Sequence, residues 1–98
     1  MLHIHEEAER EFIENAEFIA DDNYSASEEF IDAVEKGLRE IEQFPRRYAH
    51  YGKQYRVKVI EKFRHSIFYR IHGNDVYVLA IYHHSRKPNR WKKRDTSV

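Results

Sequence analysis

The 98-residue chain has no cysteine, only two prolines and only three glycines. Without cysteine there is no disulfide framework and no Cys-based zinc site, a composition at home in a reducing compartment. Gly37, Gly52 and Gly73 are too dispersed to build a phosphate-cradling loop. No Ser or Cys nucleophile motif is present. No run of about 18 apolar residues occurs, so no membrane span is expected. The first residues, Met1 to Glu7, lack the basic-then-apolar pattern of a signal peptide, and a cytoplasmic protein is the expectation. Repeats, low-complexity tracts and linkers are missing as well. The length allows a single domain, 1–98, with one modest core.

What the chain does have is charge, divided in an unusual way. The net charge is zero. Residues 1–45 nevertheless carry 14 Asp+Glu against 3 Lys+Arg, a net of −11, and residues 46–98 carry 3 against 14, a net of +11. Opposite potentials on two halves point to charged macromolecular partners. Partial neutralisation of one half by the other inside the fold is the competing reading.

The hydrophobic periods divide at the same place. Leu2 and Ile4 alternate with His3 and His5, a short strand over 1–5. Ala8, Phe12, Ala16 and Ile19 then recur at helical spacing, which predicts a helix from about Glu6 to Asp21 with Glu9, Glu11, Glu14 and Glu17 on its outer face. Asp22 to Ser25 is turn chemistry, with Ser25 the expected N-cap of a second helix and Glu28 completing a capping box. Phe30, Val34, Leu38 and Ile41 form that helix's apolar stripe, and Phe44-Pro45 ends it. The helical hairpin thus spans 6–45.

From 46 to 86 the period is two. Tyr55 to Ile60, Ser66 to His72 and Val76 to His83 read as strands of an antiparallel meander, with a turn at Gly73-Asn74-Asp75. Val76 to His83 is apolar on both faces, as a central strand should be. The basic tail 87–98 is expected to form a short helical turn that frays. The predicted fold is α+β: an N-terminal strand and helical hairpin packed on a mainly antiparallel sheet of three to four strands.

Three groups of residues can carry chemistry. Arg56, Lys58 and Arg70 are expected to share the open sheet face, with Lys62, Arg64 and Arg86 at strand ends. Such cations bind phosphate, and Tyr51, Tyr55, Phe68 and Tyr82 supply rings able to stack on bases. A solvated face that merely keeps the sheet soluble is the alternative. His83 and His84 point to opposite faces and cannot share a metal; His3 and His5 are too few for a metal site. His83 alone suits general acid–base work, although a lone strand-end histidine is more often structural. Glu7, Glu11 and Glu14 imitate a carboxylate pair but read as a solvated helix face.

The end of the chain carries a more specific pattern: the apolar strand Leu79 to Tyr82, then His83, Arg86, Pro88 and Trp91, with Arg94 beyond. Upstream stand Phe63 and the run Ile67-Phe68-Tyr69-Arg70-Ile71, and in the helices Glu11, Ala16, Phe30 and Pro45. This pattern resembles the ParE/RelE toxin superfamily, in its ParE-like branch, over nearly the whole chain. One departure stands out, since Arg64-His65 replaces the Pro-Tyr that often follows the phenylalanine of the third strand.

The resemblance implies the toxin of a bacterial type II toxin–antitoxin module, neutralised by a cognate antitoxin that wraps the helices and sheet. An acidic amphipathic segment of that partner would lie on the basic face or add a strand to an open edge. ParE-like members poison DNA gyrase without catalysis of their own. RelE-like members instead cleave ribosome-bound mRNA. In that case Arg56, Lys58 and Arg70 would hold the phosphate and Tyr82 or His83 would move the proton. A non-toxic binding module of the same fold is a third reading. Arg56, Lys58, Arg64, Arg70, His83, Arg86 and Trp91 are the expected contacts to target or antitoxin. No cofactor, metal, membrane or small-molecule substrate is expected.

Overall fold

The computed structural model describes residues 1–86 and 89–97. After β1 (Leu2–Ile4) come α1 (Glu6–Asp22) and α2 (Tyr24–Gln43), then β2 (Ala49–Tyr51), β3 (Tyr55–Ile60), a 3-10 turn (Glu61–Phe63), β4 (His65–His72), β5 (Asp75–His83) and a C-terminal 3-10 helix (Arg90–Ser97). Among the described residues no helix is long and apolar enough to cross a membrane.

The helices begin and end by identifiable chemistry. His5 caps α1, its Nδ1 accepting from the Glu7 amide at 3.0 Å. Glu6, Glu7 and Glu9 in the first turn complement the positive end of the helix dipole. One residue, Asn23, serves both helices. Its amide donates to the Ile19 carbonyl to close α1, and its side-chain oxygen accepts from the Ala26 amide at 3.0 Å to open α2. This corrects the expected Ser25 cap. Asn23 is the residue in extended conformation, and Tyr24 and Ser25 already lie within α2. Asn and Ser cap about equally well, so residue type could not choose between them. Phe44 donates to the Glu40 carbonyl and ends α2 ahead of Pro45.

The sheet runs β1-β5-β4-β3-β2. The expected meander is its centre, and two short edge strands raise the count to five. β1 lies parallel to β5, with Leu2 opposite Val76; β2 pairs antiparallel with β3, with Ala49 opposite Val57. The hairpin covers one face, where Phe30, Val34 and Ile41 of α2 meet Ile60, Ile67, Tyr69 and Ile81. Gly37 lets α2 approach closely, since a Cβ there would stand 3.3 Å from Ile67 Cδ1. Between Phe68 and Tyr69 the β4–β5 register shifts: Phe68 faces Ala80 but Tyr69 faces Val78. Leu79 is the extra residue of this bulge, which turns Leu79 and Ala80 together into a second core on the far face.

That second core is closed by the C-terminal segment. Trp91, fully buried, stacks on Phe68 at 4.7 Å between ring centroids and meets Tyr55 edge-on at 4.9 Å. Among the described residues, β5 has no strand on the β1 side past Val78. Two side chains serve its backbone there instead. Arg94 Nη1 donates to the Leu79 carbonyl at 2.9 Å, and the Ile81 amide donates to Glu11 Oε1 at 3.2 Å. Arg94 and Glu11 also grip each other in a two-point ion pair, at 2.9 and 2.8 Å. Their side chains are only 14% and 7% exposed. Two expectations are overturned here. Glu11 is not on a solvated face, and the tail is pinned at Trp91 and Arg94 rather than frayed.

Removing one member of a buried pair strands the other charge, so Glu11→Ala and Arg94→Ala are each expected to cost about 3–5 kcal/mol. Trp91→Ala should cost a similar amount, about 3–5 kcal/mol, through the cavity it leaves. Urea titration reads each as a lower midpoint at unchanged slope. A loss below about 0.5 kcal/mol, the range of ordinary surface substitutions, would mean that the tail is not held.

Candidate functional site

The strand cations are divided between two faces, which corrects the shared open face expected from alternation. The link Glu61 to Arg64 closes on the pair Ile60–His65, so an even position in β3 faces an odd position in β4. Arg56 is opposite Tyr69 and Lys58 opposite Ile67, both on the helix-covered side, whereas Arg70 is opposite Tyr77 on the other. All three are engaged within the chain. Arg56 Nη1 donates to the carbonyls of Tyr48 at 2.7 Å and Arg46 at 3.1 Å, tying down the segment that leaves α2. Lys58 Nζ lies 3.9 Å from Glu40 and 4.5 Å above the Tyr48 ring. Arg70 Nε donates to Asp95 at 2.7 Å, and Tyr55 donates to the other oxygen of the same carboxylate at 3.0 Å. Burial, and then this bond to Asp95, raises the Tyr55 pKa.

The aromatic residues are spent in the same way. Tyr51, Tyr55 and Phe68 pack around Trp91, and Tyr82 is buried in the same cluster. Trp91, expected as a contact residue, is a packing residue here. Pro88 lies outside the described residues.

Arg64, His83 and Arg86 do come together, at the end of the sheet where β4 begins and β5 stops. They line a cleft of 550 Å³ with Lys62 and Ser85 at its rim and Phe18, Ile19 and Phe63 as apolar wall. A smaller cleft of 160 Å³, lined by Tyr82, His84 and Trp91 among others, adjoins it across His83 and Arg86. Lys62 is paired with Glu29 at 2.6 Å. Among the described residues neither Arg64 nor Arg86 has a carboxylate partner. The guanidinium of Arg86 instead stands 5.6 Å over the Tyr82 ring.

The backbone sets this corner. Arg64 adopts the left-handed conformation, φ 54°, at the end of the 3-10 turn. Its amide donates to Glu61 and its carbonyl accepts from the His84 amide at 2.8 Å. Proline, with φ locked near −65°, cannot take that conformation. The Arg64-His65 departure is therefore a change of backbone as well as of side chain. His65 turns inward, its Nδ1 donating to the Phe63 carbonyl at 2.7 Å, with its ring 4.7 Å from Phe30 and 5.1 Å from His83. A carbonyl only accepts, so Nδ1 carries the proton; Nε2 is buried without a partner among the described residues. On His83, Nδ1 accepts from the Ser85 amide at 3.1 Å, which leaves Nε2 as the protonated nitrogen of the neutral ring. His84 Nε2 meets Ser66 Oγ at 3.0 Å.

The corner thus offers two uncompensated guanidinium groups, an oriented imidazole and an apolar wall in one concavity. It suits an anionic protein surface that also presents an apolar side chain. Arg64, His83 and Arg86 are expected contacts from the sequence, whereas Phe18 and His65 join the site only through the fold. Phe18 was detectable as an apolar residue off the α1 stripe; His65 gave no signal beyond the altered dipeptide.

Burial lowers the His65 pKa below its ordinary 6.5; the bond to Phe63 opposes this, and His83 and His84 add to it. The unfolded chain therefore binds more protons than the folded one as pH falls below 6.5, and the stability contributed by neutral His65 is lost in that direction. An NMR titration should place the His65 midpoint below 6.5, with the urea midpoint falling from pH 7.5 to about pH 5.5. A His65 midpoint at or above the ordinary value would contradict the buried placement.

A search of curated proteins returns no match. A family model described as ParE toxin of type II toxin-antitoxin system, parDE, matches residues 2–88. That span takes in the helical hairpin, all five strands, and His83 and Arg86, and it stops short of Trp91 and Arg94. With nearly the whole chain matched and the hairpin-on-sheet architecture in place, the chain belongs to the ParE toxin family of type II toxin–antitoxin systems.

Proposed function

We propose that the chain is a cytoplasmic toxin that arrests growth by binding DNA gyrase through the corner formed by Arg64, His83 and Arg86, and that a cognate antitoxin neutralises it. Membership of the ParE toxin family supports the toxin role. The observation that carries the binding reading is the presence, beside an apolar wall, of two guanidinium groups with no carboxylate partner among the described residues. Charge of one sign at a concave site speeds encounter with an acidic surface, and the apolar wall adds area once contact is made. No bond-breaking step is required of this site, so the chain acts as a binder.

Cleavage of ribosome-bound mRNA is the weaker reading. It required Arg56, Lys58 and Arg70 to hold a phosphate. The two arginines instead donate to carbonyls or to Asp95, and Lys58 sits near Glu40 and over Tyr48. Recruiting them would break contacts that hold the segment after α2 and the C-terminal helix.

Purified chain should inhibit gyrase supercoiling at micromolar concentration, and addition of the antitoxin should restore it. Arg64→Glu with Arg86→Glu should weaken inhibition at least about tenfold. These exposed side chains leave the core intact, so the melting temperature should stay within a few degrees of the parent. Inhibition should also decline with rising salt. Growth arrest on expression with supercoiling untouched would overturn the gyrase assignment.

A further inference from the structure

α1 carries a large apolar side chain that nothing among the described residues covers. Phe18 is 78% exposed, more than any other large apolar side chain among the described residues. Helical spacing surrounds it with acid: Glu14 lies four residues before it, and Asp21 and Asp22 three and four after. All three are exposed. On its other flank the same ring forms part of the wall of the 550 Å³ cleft, whose rim carries Lys62, Arg64 and Arg86. A protruding ring, a hollow, a negative strip and a positive strip are therefore contiguous on one patch.

We propose that this patch is a self-association surface: a second copy of the chain seats its Phe18 in the cleft of the first, and the first seats its own Phe18 in the cleft of the second. In this arrangement Glu14, Asp21 and Asp22 of each copy face Arg64 and Arg86 of the other. The two complementary halves lie side by side, so a single two-fold contact satisfies both at once. A head-to-tail pair would leave a ring and a hollow unfilled at its ends and would add further copies, as a filament or a larger closed ring. The zero net charge of the chain removes any overall repulsion between copies. The ring would also lie against guanidinium groups, a favourable cation–π arrangement. A contact built on one ring in each cleft and a few facing charges is expected to be weak, with a dissociation constant in the micromolar range or above. Since the cleft is also the proposed gyrase-binding corner, pairing and target binding would exclude each other; that consequence rests on the gyrase reading, whereas the pairing does not.

Sedimentation equilibrium of the purified chain alone, from micromolar to submillimolar concentration at low salt, tests the pairing with no gyrase present. The weight-average mass should rise from one chain to two and stop there. Phe18→Ser, at an exposed position and checked by an unchanged circular dichroism melt, should raise the dissociation constant at least about tenfold. Arg64→Glu should do the same, and Asp21→Arg added to Arg64→Glu should recover part of the loss. A one-chain mass throughout would overturn the proposal, as would growth past two chains or a two-chain species indifferent to Phe18→Ser. A chain that stays single while Phe18→Ser loses its antitoxin would also overturn it and give the patch to that partner.

Discussion

The buried ion pair between Glu11 and Arg94 is the constraint on which the far side of the molecule depends. It joins the first helix to the last described segment, residues 83 apart in sequence. It also serves β5, where the bulge at Leu79 and the end of β1 leave backbone groups without strand partners. Glu11 takes the Ile81 amide and Arg94 takes the Leu79 carbonyl. Burying two charges is costly unless their remaining hydrogen bonds are met, and here the strand meets one on each side. With Arg94 fixed, Trp91 is held against Phe68 and Tyr55, and Asp95 is brought to Arg70. One pair thereby closes the second core and neutralises a strand cation.

The charge division of the chain takes its meaning from this arrangement. Four cations of the basic half are engaged internally, with Arg56 on carbonyls, Lys58 near Glu40, Arg70 on Asp95 and Arg94 on Glu11. The cations left over do not form a broad face. Two of them, Arg64 and Arg86, meet at the end of the sheet, where the left-handed Arg64 turns the chain and His83 closes β5, whereas Arg46 and Lys53 line a separate hollow beside Tyr55 and Gly73. The fold therefore sets two guanidinium groups of the basic half, Arg64 and Arg86, at one corner beside α1.

Elements built from local pattern were readable in the sequence, and long-range pairings were not. The stripe Phe30, Val34 and Ile41, the stop at Pro45 and the three central strands each declare themselves within a dozen residues. Ala49–Tyr51 is too short to show a period, and only its pairing with Tyr55–Val57 makes it a strand. The faces of Arg56 and Arg70 depended on the length of the link between β3 and β4, which alternation alone does not reveal. Glu11 has the spacing of a surface acid, and its reason for burial is an arginine near the other end of the chain. Of the site, Arg64, His83 and Arg86 could be named because they are charged or titratable at strand ends. Their union with Phe18 and His65 required the packing of α1 against β5.

The central claim is that Glu11 and Arg94 hold the edge of β5 and the C-terminal segment as part of the cooperative core. Native-state hydrogen exchange of the Ile81 amide tests it most directly. That amide should exchange only through global unfolding, with the same denaturant dependence as the amides of central α2. Exchange through a low-energy local opening, while α2 stays protected, would show that the pair does not hold this edge and would contradict the account.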